Sequence, residues 1–204
     1  MSFPLRSSDS FLKIAVAGVV VFAALVSHVE AEEVLELDPR QTNIDFTLKA
    51  TTHTVEGVIA LEEGAIAFDT ATGQASGSIV INALSTTTFH KSRDKKMHND
   101  VLQSERYPKI VFVPEHLEGG LPAEGATDLL LTGTITIHGS THPLDVPARV
   151  YRDGDTVTGE AEFKIPFVEW GMKDPSFFVF RVRKVIDVRL KLHGTLSRIA
   201  HATS

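Results

Sequence analysis

The stretch SFFVFRVRKVIDVRLKL, Ser176 to Leu192, carries the reading that decides the fold. Phe178, Phe180, Val182, Ile186, Val188, Leu190 and Leu192 alternate with Arg181, Arg183, Asp187, Arg189 and Lys191, and only Lys184 interrupts the apolar face. A period of two marks a strand with one face buried and the other in water. Its 17 residues would run about 56 Å at roughly 3.3 Å each, too long for a flat strand in a domain of this size. Such a strand must bend while keeping one face apolar, which is what a curled or closed sheet requires.

The same period extends backward through the chain. Ile44, Phe46 and Leu48 alternate with Asp45, Thr47 and Lys49, and Val55 and Ile59 continue the pattern. Leu129, Leu131, Gly133, Ile135 and Ile137 share one face, as do Leu144, Val146, Ala148 and Val150, then Ala161, Phe163, Ile165 and Phe167. Turn signals fall between these runs at Asp69–Gly73, Glu118–Gly125, His138–Pro143 and Arg152–Asp155. Strands at this spacing suggest an antiparallel sandwich or an up-and-down barrel, and the long final strand favours the barrel. One segment differs: Asp94, Met97, His98, Val101 and Leu102 recur at helical spacing, predicting a helix over Arg93–Gln103 with Ser92 as its N-cap. The expected fold is therefore all-β, a closed antiparallel barrel with one short helix over an end.

The chain has 204 residues and a net charge of −6, with no long basic run, so nucleic acid is not an expected partner. Arg6 and Lys13 precede 13 apolar residues, Ile14–Val26, and Val29-Glu30-Ala31 follows. That order predicts a signal peptide over residues 1–31, since the apolar run is shorter than the roughly 20 residues that span a bilayer. The expected mature chain, residues 32–204, is exported to the periplasm or secreted, and is not an integral membrane protein. It has no Cys, so its core alone must hold it together.

Little in the sequence points to catalysis. HExxH and GxSxG are absent, Cys ligands are lacking, and the pair Glu62-Glu63 reads as a solvated turn, so neither an enzyme nor a metal site is expected. His138 and His142 read as solvated loop histidines. The apolar faces are rich in Phe, which suits either a packed barrel or one hollow enough for an apolar ligand; periodicity alone leaves both open. The segment His90-Lys91-Ser92-Arg93-Asp94-Lys95-Lys96 is the most unusual polar feature. Its cations oppose the dipole at a helix start, and a phosphate or an acidic partner surface would retain them there.

Several segments resemble the YceI family: Gly77-Ser78-Ile79-Val80-Ile81, Arg93-Asp94-Lys95-Lys96-Met97, Tyr107-Pro108-Lys109-Ile110-Val111-Phe112, Gly133–Gly139 and Val168-Glu169-Trp170-Gly171-Met172. The resemblance implies an exported, lipocalin-like barrel whose apolar cavity holds an isoprenoid-type lipid, a polyprenyl phosphate or a quinone, without catalysis or any cofactor beyond that lipid. It implies that Phe46, Ile135, Ile137, Phe163, Ile165, Trp170, Phe178 and Phe180 contact the ligand, that Met97 and Val101 close one end, and that Arg93 stands near a polar head group. Lys96 occupies the place where many members have a His. The competing expectation is a stress-associated accessory module with a packed barrel that binds a protein partner, and a homodimer is compatible with either.

Overall fold

The computed structural model describes residues 31–176 and 181–200. The alternating segments form β1 (Ala31–Leu37), β2 (Asn43–Lys49), β3 (Thr54–Asp69), β4 (Ala75–Thr87), β5 (Lys109–Glu118), β6 (Gly125–Ile137), β7 (Ser140–Asp153), β8 (Thr156–Ile165) and β9 (Ile186–Ala200), with α1 (Lys91–Lys96) between β4 and β5. Every pairing is antiparallel and joins neighbours in the chain, except where β9 returns to β1 and β2 and where β3 receives β1 as well as β2. The sheet closes on itself, so it leaves no open edge to recruit another strand.

Nine strands make eight staves. The first half of β3, Thr54–Ile59, pairs with β2 and its second half, Ala65–Asp69, pairs with β1. On the other side β9 pairs with β2 through Asp187–Lys191 and with β1 through Gly194–Ala200. β1 and β2 therefore lie end to end in one stave. The step between them is a turn tied by Asp38, whose Oδ1 accepts from the Arg40 N–H at 2.8 Å and whose Oδ2 accepts from Gln41 Nε2 at 2.6 Å.

Long strands curl where the register slips. β3 shifts against β4 between Val58 and Ala60 and again between Leu61 and Glu63, and β5 shifts against β6 between Pro114 and His116. A bulge bends its strand and sharpens the local twist, and it also accommodates Pro114, which has no N–H for the ladder. Gly57 contributes by absence: it faces Phe46 across the β2–β3 pair, and a side chain there would collide with the Phe46 ring. That ring is left free to point inward.

Three local expectations are corrected. Among the described residues the strand predicted over Ser176–Leu192 begins at Ile186: Lys184 interrupts the apolar face, and of the described residues before it only Val182 is bridged, to Ala50, while residues 177–180 lie outside the described residues. It runs on to Ala200, with Gly194 and Leu196 continuing the buried face. The predicted helix is split: α1 starts at Lys91, with His90 and not Ser92 in the capping position, and a π-helical turn, Met97–Leu102, follows it. Glu62-Glu63 lies within β3, where Glu62 pairs with Lys109 at 2.9 Å. β1 carries no clear apolar alternation because Glu33 occupies an inward position beside Leu35 and Leu37.

Candidate functional site

Side chains from the eight staves do not fill the barrel. An outer chamber of about 340 Å³ lies under α1 and the π turn, and an inner chamber of about 120 Å³ lies toward the opposite end. Ile44, Ile81, Ile135 and Phe163 line both, so these four residues form the partition. Among the described residues Thr42 is the only polar one lining the inner chamber. The outer one falls within the roughly 300–1,000 Å³ of ligand pockets, with a small polar group at one end of an apolar wall.

The polar end is the mouth, bounded by His53, Thr86, Thr88, Arg93 and Lys96. Met97, Val101 and Leu102 reach over the apolar space from the π turn, and Met172 and Pro175 do so from the segment after β8. A compact clamp fixes this lid. The Asp94 carboxylate accepts hydrogen bonds from Thr87 Oγ1 and the Thr88 N–H, both at 2.8 Å, and from Thr88 Oγ1. Arg93 donates from Nε to Thr88 Oγ1 at 2.7 Å and from Nη2 to the Thr88 carbonyl at 2.8 Å. Burial pushes the Asp94 carboxyl upward, but the bonds from Thr88 and Thr87 outweigh it and leave the pKa below the ordinary 3.8. His98 is bound through both ring nitrogens, to Ser104 Oγ at 2.7 Å and to the Thr86 carbonyl at 2.9 Å, so its ring holds the π turn to β4.

The opposite end is closed. Glu33, 5% exposed, accepts from Arg152 Nη1 at 3.3 Å and from Arg198 Nε at 3.0 Å. Arg152 also reaches the carbonyls of Gly154 and Pro122, which ties down the β5–β6 loop whose Leu121 lines the inner chamber.

Of the residues expected to contact a ligand, Phe46, Arg93, Met97, Val101, Ile135, Ile137, Phe163 and Ile165 all line the outer chamber. Trp170 does not. It stacks on His142 with ring centroids 4.5 Å apart, outside the cavity wall. Phe178 and Phe180 lie outside the described residues, as does nearly all of the expected signal peptide. Arg93 reaches the mouth with part of its guanidinium already committed to Thr88, and Lys96, which also lines the mouth, has no acid partner among the described residues. No single stretch of sequence announces the inner chamber, since its lining comes from all eight staves, with β3 contributing Leu61, Ile66 and Phe68. His138 and His142 are half-buried and not solvated: His138 packs on Tyr107 at 4.8 Å, and burial first, then Arg106, lowers its pKa from 6.5. Among the described residues no cluster of three or more His, Asp or Glu could hold a metal ion, and no helix is long and apolar enough to cross a membrane.

This chain is similar to known proteins in sequence and in fold. Protein YceI of Escherichia coli O17:K52:H18 is 26% identical over 167 residues, 76% of this chain and 85% of its own length. A UPF0312 protein of Pseudomonas savastanoi is 26% identical over 149 residues, 70% of this chain and 76% of its own. Burkholderia cenocepacia BcnA superposes with a TM-score of 0.63 at 20% identity, over 78% of this chain and 99% of BcnA. A polyisoprenoid binding domain from Saccharophagus degradans superposes with a TM-score of 0.61 at 14% identity, over 83% of this chain and 99% of that domain. At such identities the two structures establish the barrel fold alone. The YceI-like domain matches residues 35–194, and the chain belongs to the YceI family.

Proposed function

We propose that this protein binds an isoprenoid-type lipid, a polyprenyl phosphate or a quinone, without chemical conversion, as a carrier or sequestering protein of the periplasm. The observation that carries the reading is the two-chamber apolar cavity with its polar groups gathered at one end. A long apolar chain with a single polar head needs that polarity, and the likeness to a polyisoprenoid binding domain supports it. The head would lie at the mouth, near Lys96 and the uncommitted part of Arg93, and the chain would extend past Phe163 toward Leu35 and Phe68. Burial of apolar chain supplies the affinity, at roughly 25 cal/mol per Å² removed from water. Residues 1–31 would act as the signal peptide that brings residues 32–204 to the periplasm.

The test is organic extraction and mass spectrometry of gently purified protein. An isoprenoid species in near-stoichiometric amount is expected. Protein that is empty as isolated and takes up neither added quinone nor polyprenyl phosphate would overturn the reading.

A further inference from the structure

The cations of this protein divide into two populations. Eight Lys and Arg lie on the strands, and seven of them, all but Lys164, have a carboxylate within 4.0 Å. Nine lie in the described loops at the mouth end, residues 50–53, 88–108, 138–139, 166–176 and 181–185, and only Lys173 is paired, with Asp100 at 3.8 Å. Those loops carry only five Asp and Glu, a local net charge of +4 on a chain whose total is −6. The loops of the closed end, 70–74, 119–124 and 154–155, have the opposite balance, with Glu124 and Asp155 and no Lys or Arg, while Asp38 and Arg40 sit together in the mid-wall turn between β1 and β2.

One apolar side chain stands out among the mouth cations. Phe89, just before α1, is 78% exposed and adopts φ 61°, a conformation that bulky residues rarely take. Its N–H donates to Thr87 Oγ1 at 3.0 Å, and Thr87 and Thr88 are held in turn by Asp94 and Arg93. The clamp thus leaves a large apolar ring in solvent at the start of the stretch that carries the exposed Lys91, Lys95 and Lys96.

We propose that the mouth end docks on the surface of an anionic phospholipid bilayer, with Phe89 entering the interface and Lys91, Lys95, Lys96 and Arg183 meeting lipid phosphates. A bilayer fits these features together: unpaired cations find fixed negative charge, an exposed aromatic ring finds the headgroup boundary, and the mouth of the apolar cavity opens against the leaflet. Paired wall cations offer no such attraction. The docking surface stands on charge and exposure, and it draws on the lipid-binding reading only for the use that docking would serve.

The experiment is co-sedimentation of the mature protein with vesicles of phosphatidylcholine alone or mixed with phosphatidylglycerol, at low and high salt. Binding is expected only to the anionic vesicles and should weaken as salt screens it. Replacing Lys91, Lys95 and Arg183 with Gln should lower partitioning about a hundredfold, at roughly fivefold for each cation near the surface, and Phe89→Ser should lower it further. None of these four residues lines the cavity, so uptake of a detergent-dispersed quinone should be unchanged in the same variants. That second readout separates the two ideas: vesicle binding without quinone uptake sinks the carrier reading alone, and quinone uptake without vesicle binding sinks the docking surface alone. Equal sedimentation with neutral vesicles, an unaffected triple variant, or release by inorganic phosphate at constant ionic strength would each overturn the proposal, the last by assigning the cations to a soluble anion.

Discussion

Replacing Phe163 with Ala should cost little stability and change what the barrel holds. The side chain is half-buried and borders both chambers, so the ring has empty space on two sides. Phe→Ala in a close-packed core costs about 3–5 kcal/mol, part of it from the cavity left behind. At position 163 much of that loss is already present in the wild type, which brings the expected cost to about 1–2 kcal/mol. Phe167 is the comparison, because it is 1% exposed and packed within the main core even though an edge of it reaches the outer chamber. Phe167→Ala should show the full core cost. At about 2–4 °C per kcal/mol for a domain of this size, the two variants should unfold several degrees apart. Removing the Phe163 ring should also join the chambers, so that binding of a short isoprenoid weakens about tenfold, equivalent to about 1.4 kcal/mol, while longer chains lose less. Urea unfolding of ligand-free protein and titration with isoprenoids of graded length measure the two effects. Equal destabilisation at both positions, with an unchanged order of chain-length preference, would show that Phe163 is an ordinary core residue and that the partition has no bearing on the ligand.

Two further outcomes test the ends of the barrel. Glu33→Gln leaves the buried Arg152 guanidinium without its carboxylate and should destabilise the fold by about 3–5 kcal/mol, whereas replacing Glu33 and Arg152 together with Met should cost much less; denaturant unfolding that finds the single variant as stable as wild type would mean the Gly154 and Pro122 carbonyls satisfy Arg152 on their own. Asp94→Asn should cost about 1–3 kcal/mol at neutral pH, and because the folded pKa of Asp94 lies below its unfolded 3.8, the contribution is complete above that value and fades as pH falls through the folded one. Unfolding curves across the acid range should therefore show wild type and variant converging, and a constant gap would exclude Asp94 as the titrating group.

The barrel itself was legible because alternation is local: Leu129 to Ile137 or Leu144 to Val150 show their inward face whatever pairs beside them, and strands too long to lie flat imply closure. The wall of the outer chamber followed from the same faces, which is why Phe46, Ile135, Phe163 and Ile165 line it. Other features depend on groups far apart in the chain. β1 escaped notice because an inward Glu33 is tolerable only where Arg152, 119 residues away, meets it, and its end-to-end placement with β2 depends on the register of β3 and β9. The lid departed from regular helical spacing because His98 and Asp94 are bound to β4 and the loop after it, so the chain widens into a π turn in place of continuing α1. Hollowness was undecidable from the pattern, since an apolar face reads the same whether it meets another side chain or empty space; only the spacing of eight staves around a common axis leaves the two chambers. Charge behaved likewise. The sequence shows how many cations there are, but only cross-strand register decides which have a carboxylate opposite them, and by that geometry the wall cations are paired within a net-negative wall and the mouth is left positive.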